Sequence, residues 1–368
     1  MDALFPFGFP PATARYLALY VLSLSLHVIF MNYVLAGAGY LAVCAVFGFE
    51  RSYTDPRPRV TMASVLRDWM PFALGAAITA GVAPLLFIQI LYKQSFYTAN
   101  VLLFHRWMSI VPALIVGFYL LYLIKSRRVE TWRPWARTAV GIGPFLCFAF
   151  TAYSWTENHM LSMQQDLWPG FYASGELIYR STGLLPRLAV WFLGSIPTMC
   201  VWVAWQLRYA QRHGAFVPAN QIRRNMFMGF LGCVLVILAA LWYFRIMTGV
   251  QREAITSPVA MPFLVTAATG LLVQVVGFIG IGVRANRAAV VGARPLLAAS
   301  IGVVMTILGA TVVRETLRVT VIDSPEWRMT HTRAASVEGL VVFVIFLLLC
   351  GALIGRSIRL VMRATQQR

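Results

Sequence analysis

The sequence predicts an all-α integral membrane protein, and three observations carry that expectation. Hydrophobic residues make up 59% of the 368 positions and charged residues only 12%, with a mean hydropathy of +0.72. The apolar residues gather in long runs, and nearly all the charge sits in short stretches between them. Each run approaches the ~20 residues that a helix needs to cross a bilayer, where lipid cannot satisfy backbone N–H and C=O groups. Such a chain falls outside the soluble globular class, and its runs are too long and continuous for the strands of a barrel.

Nine runs qualify as spans. The first, Arg15 to Phe47, is the longest and should protrude from the bilayer or tilt. It lacks the short apolar core and small-residue cleavage site of a signal peptide. The second, Trp69 to Leu91, opens on an aromatic residue and holds Gly81-Val-Ala-Pro84, the one candidate for a broken helix of the kind a small-molecule carrier needs. An arginine-rich turn separates the third, Val101 to Ile124, from the fourth, Ala136 to Trp155. The fifth runs from Leu188 to Leu207 and the sixth from Asn225 to Met247. Only Thr248 to Ala260 separates the sixth from the seventh, Met261 to Val283. Pro295 to Val313 and Gly339 to Gly355 complete the set, and residues 1–368 form a single polytopic membrane domain.

Basic residues set the orientation, because cytoplasmic loops are enriched in Lys and Arg. The loops holding Arg51 to Arg67, Lys125 to Arg137, Arg208 to Arg224 and Arg284 to Arg294, together with the tail from Arg356, carry 20 of the 31 basic residues. Of the 13 acidic residues only Glu50, Asp55, Asp68 and Glu130 share that side. The bundle is therefore expected to have its N-terminus outside and its C-terminus cytoplasmic. The net charge of +18 follows mainly from this asymmetry and favours anionic lipid headgroups. No basic soluble domain is present to hold nucleic acid. The five cysteines, Cys44, Cys147, Cys200, Cys233 and Cys350, fall within spans without a CxxC pair, which argues for packing residues and against disulfides, zinc or covalently attached haem. No P-loop or HExxH motif is present.

Two connections are long, Glu157 to Arg187 and Arg314 to Glu338, both on the outer side. Aromatic and turn residues fill the first, from Trp168 to Tyr172, and suit an ordered cap at the interface. Mixed charge fills the second: Arg314, Glu315, Arg318, Asp323, Glu326, Arg328, His331 and Arg333. It is either a solvated loop or a docking surface for an extrinsic subunit. His105, His159, His213 and His331 are expected at the surface. Small residues at Gly37, Gly277 and Gly280 permit close helix approach and suggest lateral assembly with other membrane subunits.

Polar residues inside spans usually face the bundle interior. His27 lies 12 residues after Arg15, ~18 Å along the helix axis, near mid-membrane. Tyr20, Ser23, His27 and Met31 fall on one face at helical spacing. His27 is either an axial ligand to haem iron or a buried histidine bonding between helices. Gln89 and Gln274 are span-embedded amides suited to interhelical bonds or to a quinone carbonyl.

The segment from Arg15 through His27 to Val43 resembles the first helix of subunit I of the cytochrome bd-type quinol oxidases, which carries an early Arg and a mid-helix haem-ligating His. Trp69-Met-Pro-Phe-Ala-Leu-Gly, Thr79-Ala-Gly-Val82 and Phe87-Ile-Gln89 are similar to that family's second helix. The nine-span plan is also alike. The resemblance implies residence in a bacterial inner (cytoplasmic) membrane and a haem b on His27, with Met31 and Met247 as companions. Phe244-Arg245-Ile246-Met247 looks like a family motif whose Met ligates haem, displaced to the end of the sixth span. The chain departs from the family in its short sixth-to-seventh connection, in lacking the Gly-Arg-Gln-Pro-Trp motif, and in having no glutamate in Val101 to Ile124. Val190 and its neighbours in the fifth span include no histidine either. Oxygen reduction is accordingly not expected. What the resemblance implies is a subunit of a respiratory-type electron-transfer complex, passing electrons between a membrane donor and an extrinsic c-type cytochrome. The alternatives are a cofactor-free scaffold for such a complex, or a small-molecule transporter. Single cysteines placed at Ser52 and Ser324 are expected to label with an impermeant reagent from opposite sides of the membrane, Ser324 from outside; labelling from one side would refute the span count.

Overall fold

In lipid each backbone must satisfy its own hydrogen bonds, so a long apolar run becomes a helix. The computed structural model describes residues 9–48, 59–126, 128–334 and 337–366. Among these the chain forms thirteen α-helices: α1 (Pro11–Phe47), α2 (Met62–Leu91), α3 (Lys93–Leu102), α4 (Phe104–Lys125), α5 (Pro134–Ser162), α6 (Trp168–Ser174), α7 (Leu184–Arg212), α8 (Ala219–Ile246), α9 (Gly249–Thr256), α10 (Met261–Ala288), α11 (Ala293–Ile322), α12 (Pro325–Ala334) and α13 (Val337–Gln366). No strand forms among the described residues. All but α3, α6, α9 and α12 are long and apolar enough to cross a membrane, giving nine candidate spans among the described residues.

Local chemistry explains several of the boundaries. Pro11 occupies the first turn of α1, where its missing N–H costs nothing, and Gly48 ends the helix at φ 69°, a left-handed conformation that glycine adopts without strain. The Thr61 hydroxyl accepts the Ser64 N–H at 3.1 Å and the Ser64 hydroxyl accepts the Thr61 N–H at 2.9 Å, a reciprocal cap that starts α2. Pro71 and Pro84 lie inside α2, yet the helix runs unbroken from Met62 to Leu91. Gly81-Val-Ala-Pro84, the one candidate for a break, lies within continuous helix.

The spans are longer than hydropathy alone suggests. α5 continues past Trp155 to Ser162, and α11 continues past Val313 to Ile322. Both long connections therefore begin as helix, and Arg314, Glu315 and Arg318 belong to α11. α1, at 37 residues, is about 55 Å long, well beyond the ~30 Å hydrocarbon core.

Odd connections and even connections separate cleanly. The short helices α3, α6, α9 and α12 all lie at the end where α1 begins, here termed the capped end. The opposite end carries the turns that arginines fill or flank, among them 128–133, 213–218 with Arg208, Arg212, Arg223 and Arg224 in the helices either side, and 289–292 between Arg287 and Arg294; Ser52 and most of the first turn lie outside the described residues. α1 is the hub, packing on α2, α5, α7 and α11. α13 stands apart: the apolar window of Leu340–Met362 is 0% buried, and the ring of Phe343 meets Phe87 of α2 at 4.9 Å.

Small residues let the helices touch within the chain. A Cβ on Gly37 would sit 2.8 Å from Met70 Sδ; one on Gly277 would meet the Ala299 backbone at 2.7 Å, and one on Gly280 would meet Pro295 at 2.8 Å. These glycines are committed to internal contacts, so they are no sign of lateral assembly. α10 and α11 come closest, with Gly270 and Gly302 each facing the other's backbone, and Gln274 donates to the Thr306 hydroxyl at 2.8 Å across the same seam. The interhelical role expected of Gln274 is thus the one it has. Gly302→Val would drive a branched side chain into backbone that cannot yield, and is expected to lower stability by about 1–3 kcal/mol, read as a fall in the thermal midpoint of the detergent-solubilised chain; an unchanged midpoint would refute this seam.

Candidate functional site

The apolar run of α11 ends in charge without ending the helix. Arg314 and Arg318 lie four residues apart and share a face, with Glu315 three residues before Arg318. Glu315 and Arg318 retain only 3% and 2% exposure. Facing them are His159, buried in the last turn of α5, and Arg187, in the first turn of α7. The capped ends of three helices distant in sequence thus place three arginines around one imidazole.

Donors outnumber acceptors there. Arg187 Nη2 lies 2.7 Å from His159 Nε2, while Arg314 Nη2 lies 3.4 Å from Nδ1, which Arg318 Nη2 also contacts. A neutral imidazole accepts at one nitrogen only, and a protonated one at neither. At least one guanidinium therefore faces another donor. Glu315 is the carboxylate of the group: Oε1 accepts from Arg314 Nη1 at 3.1 Å, and Oε2 accepts from the Tyr92 hydroxyl at 2.9 Å and lies 3.7 Å from Arg318 Nη1. The Tyr20 hydroxyl accepts from Arg314 Nη1 at 3.3 Å. The guanidinium of Arg318 also stacks over the Tyr92 ring at 4.5 Å. Arg187 Nη1 and Arg318 Nε are buried with no acceptor among the described residues. Three cations against one carboxylate leave an excess of two positive charges, in a place where unpaired charge costs several kcal/mol. Such an arrangement can hold an anion, most readily a pair of carboxylates that engage the arginines in forked fashion.

A lid of aromatic residues closes this group on the capped side. Trp327 of α12 stacks on Tyr92 with ring centroids 6.0 Å apart and meets His331 edge-on at 4.5 Å. Trp327 Nε1 donates to the Leu91 carbonyl at 2.5 Å. His331 Nε2 lies 3.2 Å from the same carbonyl, which fixes the proton on Nε2 and leaves Nδ1 to accept from the Thr13 hydroxyl at 2.9 Å. Beside this group Glu157 is buried, its Oε2 2.9 Å from Arg106 Nε of α4 and its Oε1 accepting the Tyr179 N–H at 2.9 Å; the second contact fastens the segment after α6 to α5.

The expected placement of His159 and His331 at the surface is corrected, since both are buried. His105 and His213 are exposed as expected. The charged connection is likewise no solvated loop over Arg314 to Arg318, because protein from α5 and α7 covers that turn of α11.

His27 is half-buried on α1, and its Nδ1 lies 2.9 Å from the Ala77 carbonyl of α2. A carbonyl only accepts, so Nδ1 carries the hydrogen and Nε2 keeps its lone pair. Gly81 leaves room for the ring: a Cβ there would lie 2.9 Å from His27 Cε1. Met31, one turn further along, is half-buried. Met247 is buried elsewhere, at the end of α8, with Ile255 and Leu317 beside Tyr243 and Val313. Tyr20, which anchors Arg314, is two turns from His27 on the same face of α1, about 10 Å along the axis. The structure therefore aligns His27 with the arginine group and places Met247 in a separate cluster. The sequence groups Arg314, Glu315 and Arg318 in one charged cluster but does not show that His159 and Arg187 join them. The available signal was the helical spacing of Arg314 and Arg318, with no breaker before Asp323-Ser-Pro325.

The sequence matches no family model and no curated protein.

Burial holds the His331 pKa below its ordinary 6.5. The folded state therefore binds this proton less readily than the unfolded chain, and the stability that follows is complete above pH ~6.5 and falls as acid is added. The protection of the α12 amides against hydrogen exchange, taken relative to their intrinsic chemical rates, is expected to fall between pH ~7.5 and ~5.5, and His331→Gln is expected to flatten that fall; an unaltered fall in the variant would show that another group titrates.

Proposed function

We propose that this chain is a haem b-binding integral membrane subunit of a respiratory-type electron-transfer complex. It would sit in a bacterial cytoplasmic membrane with its capped end outside. The observation that carries this reading is the alignment on one face of α1 of a mid-span imidazole, its Nε2 lone pair free, with a buried arginine group two turns above. Ligating histidines are commonly oriented by a carbonyl on the other ring nitrogen, as Ala77 orients His27. The donors of Arg187 Nη1 and Arg318 Nε, buried without acceptors, suit the two propionate carboxylates of haem, and the two negative charges would balance the excess of the group.

When bound, the haem would supply a one-electron couple. The chain's own residues have distinct tasks. His27 would hold the iron through Nε2, with its ring direction fixed by Ala77 and its space provided by Gly81. Arg187 and Arg318 would hold carboxylates, and the Tyr20 hydroxyl and Glu315 would position Arg314 beside them. Trp327 and His331 would exclude water from that side. Met31 is the nearer of the two proposed companions of His27 along α1, and Met247 the more distant.

An extrinsic c-type cytochrome would dock at the capped end. Support for a partner there comes from exposed apolar residues in and around α6, namely Tyr172, Leu177, Ile178 and Leu185, with Tyr172 77% exposed. His27→Ala is expected to abolish a Soret band and its redox-sensitive α-band while the chain stays inserted, because losing an axial ligand acts on the cofactor more than on the lipid-facing surface. A wild-type preparation without haem absorbance would overturn this proposal and leave a cofactor-free scaffold.

A further inference from the structure

At the arginine-rich end, α10 and α11 meet in a turn that α7 holds rigid. Arg208 Nη1 donates to the Val291 carbonyl at 2.5 Å, Gln211 Nε2 donates to the Ala289 carbonyl at 2.8 Å, and the Val291 N–H donates to Gln211 Oε1 at 3.1 Å. Ala289 adopts φ 52° to make the turn. Against this frame opens a wide-mouthed pocket of about 610 Å³, lined by Arg208, Arg284, Arg287 and Arg294 with apolar Ala288, Val290 and Ala293. Among the described residues no carboxylate lines it.

The pocket is shaped around its charge. Gly292 makes room for Arg284, since a Cβ there would come within 3.1 Å of both Nε and Nη1. The guanidinium groups of Arg284, Arg287 and Arg294 are exposed. Below them the chemistry changes at once. Ile279, Val283 and Arg287 recur every four residues on one face of α10, and Arg294, Leu297 and Ile301 follow at helical spacing on α11. Ile279, Val283, Leu297 and Ile301 are all exposed, at 49%, 45%, 54% and 50%. Arg287 and Arg294 thus each head an apolar row that runs along the span beneath them.

We infer that this pocket binds the phosphate headgroup of an anionic phospholipid, with acyl chains lying along the exposed rows of α10 and α11. Phosphate fits the guanidinium forks, and a site at the mouth of the membrane with basic heads above apolar flanks matches a lipid in both halves. A free phosphate ion would use the arginines and leave the rows unexplained.

The test is native mass spectrometry of the full chain, delipidated in nonionic detergent and titrated with phosphatidylglycerol or with phosphatidylcholine of the same acyl chains. Phosphatidylglycerol is expected to bind preferentially. The combined R284Q, R287Q and R294Q variant is expected to lose that preference by about a hundredfold, about fivefold for each arginine. The corresponding triple lysine variant, which keeps the charge, is expected to retain most of it and thereby shows that the turn still folds. Inorganic phosphate in excess is expected not to displace the lipid. Equal binding of the two lipids, or a preference that survives the glutamine variant, would overturn the inference. Displacement by inorganic phosphate would overturn the lipid assignment and identify a free-anion site.

Discussion

Charge carried into a place that water cannot screen is the constraint on which the capped end is organised. Glu315 and Arg318 lie within protein, and a lone buried cation is so costly that every neighbouring element is arranged to answer it. Tyr92 presents its ring to Arg318 and its hydroxyl to Glu315. Tyr20 extends from α1 to Arg314, and the last turn of α5 delivers His159. The short helix α12 then seals the arrangement through Trp327. These contacts link α1, α2, α5, α11 and α12 at one level of the bundle, so the polar group also acts as a clamp for the helix ends.

The two ends of the molecule handle positive charge in opposite ways. At the arginine-rich end Arg284, Arg287 and Arg294 around the 289–292 turn are exposed. At the capped end Arg318 is enclosed and Arg187 and Arg314 are half-buried, and the three share a single carboxylate and a single imidazole. The same residue type therefore marks a surface in one place and an interior site in the other. Sequence position relative to an apolar run does not distinguish the two. Enclosure does, and enclosure comes from α5 and α7.

The spans were legible because lipid imposes one rule on all of them, and apolar length satisfies it visibly. Boundaries were less legible. Hydropathy treats the first charged residue as the end of a span, yet α11 continues through Arg314 and α5 through Glu157 because neighbouring helices, not water, surround those turns. The mid-span position of His27 was legible from spacing alone, and its tautomer was not, since that depends on Ala77, fifty residues away. The arginine group was hidden for the same reason: His159, Arg187 and Arg318 meet only after three helices are packed. The glycines were legible as sites of close approach, but whether that approach served a partner or the chain itself depended on which helix lay opposite.

α13 obeys a different kind of law from α10 and α11. Gly302 answers to shape, since one added carbon meets backbone, whereas no residue in the window of Leu340–Met362 is buried and its contacts with the bundle are few, Phe343 and Ile354 among them. Lipid tails conform to whatever apolar side chain they meet, so that window is constrained by hydropathy and hardly at all by fit. Leucine, isoleucine, valine and phenylalanine are interchangeable there at little energetic cost. Over evolutionary time its sequence should drift freely within an apolar alphabet, while the α10–α11 seam stays nearly fixed, and two relatives of this chain would diverge fastest where the protein is most uniformly hydrophobic.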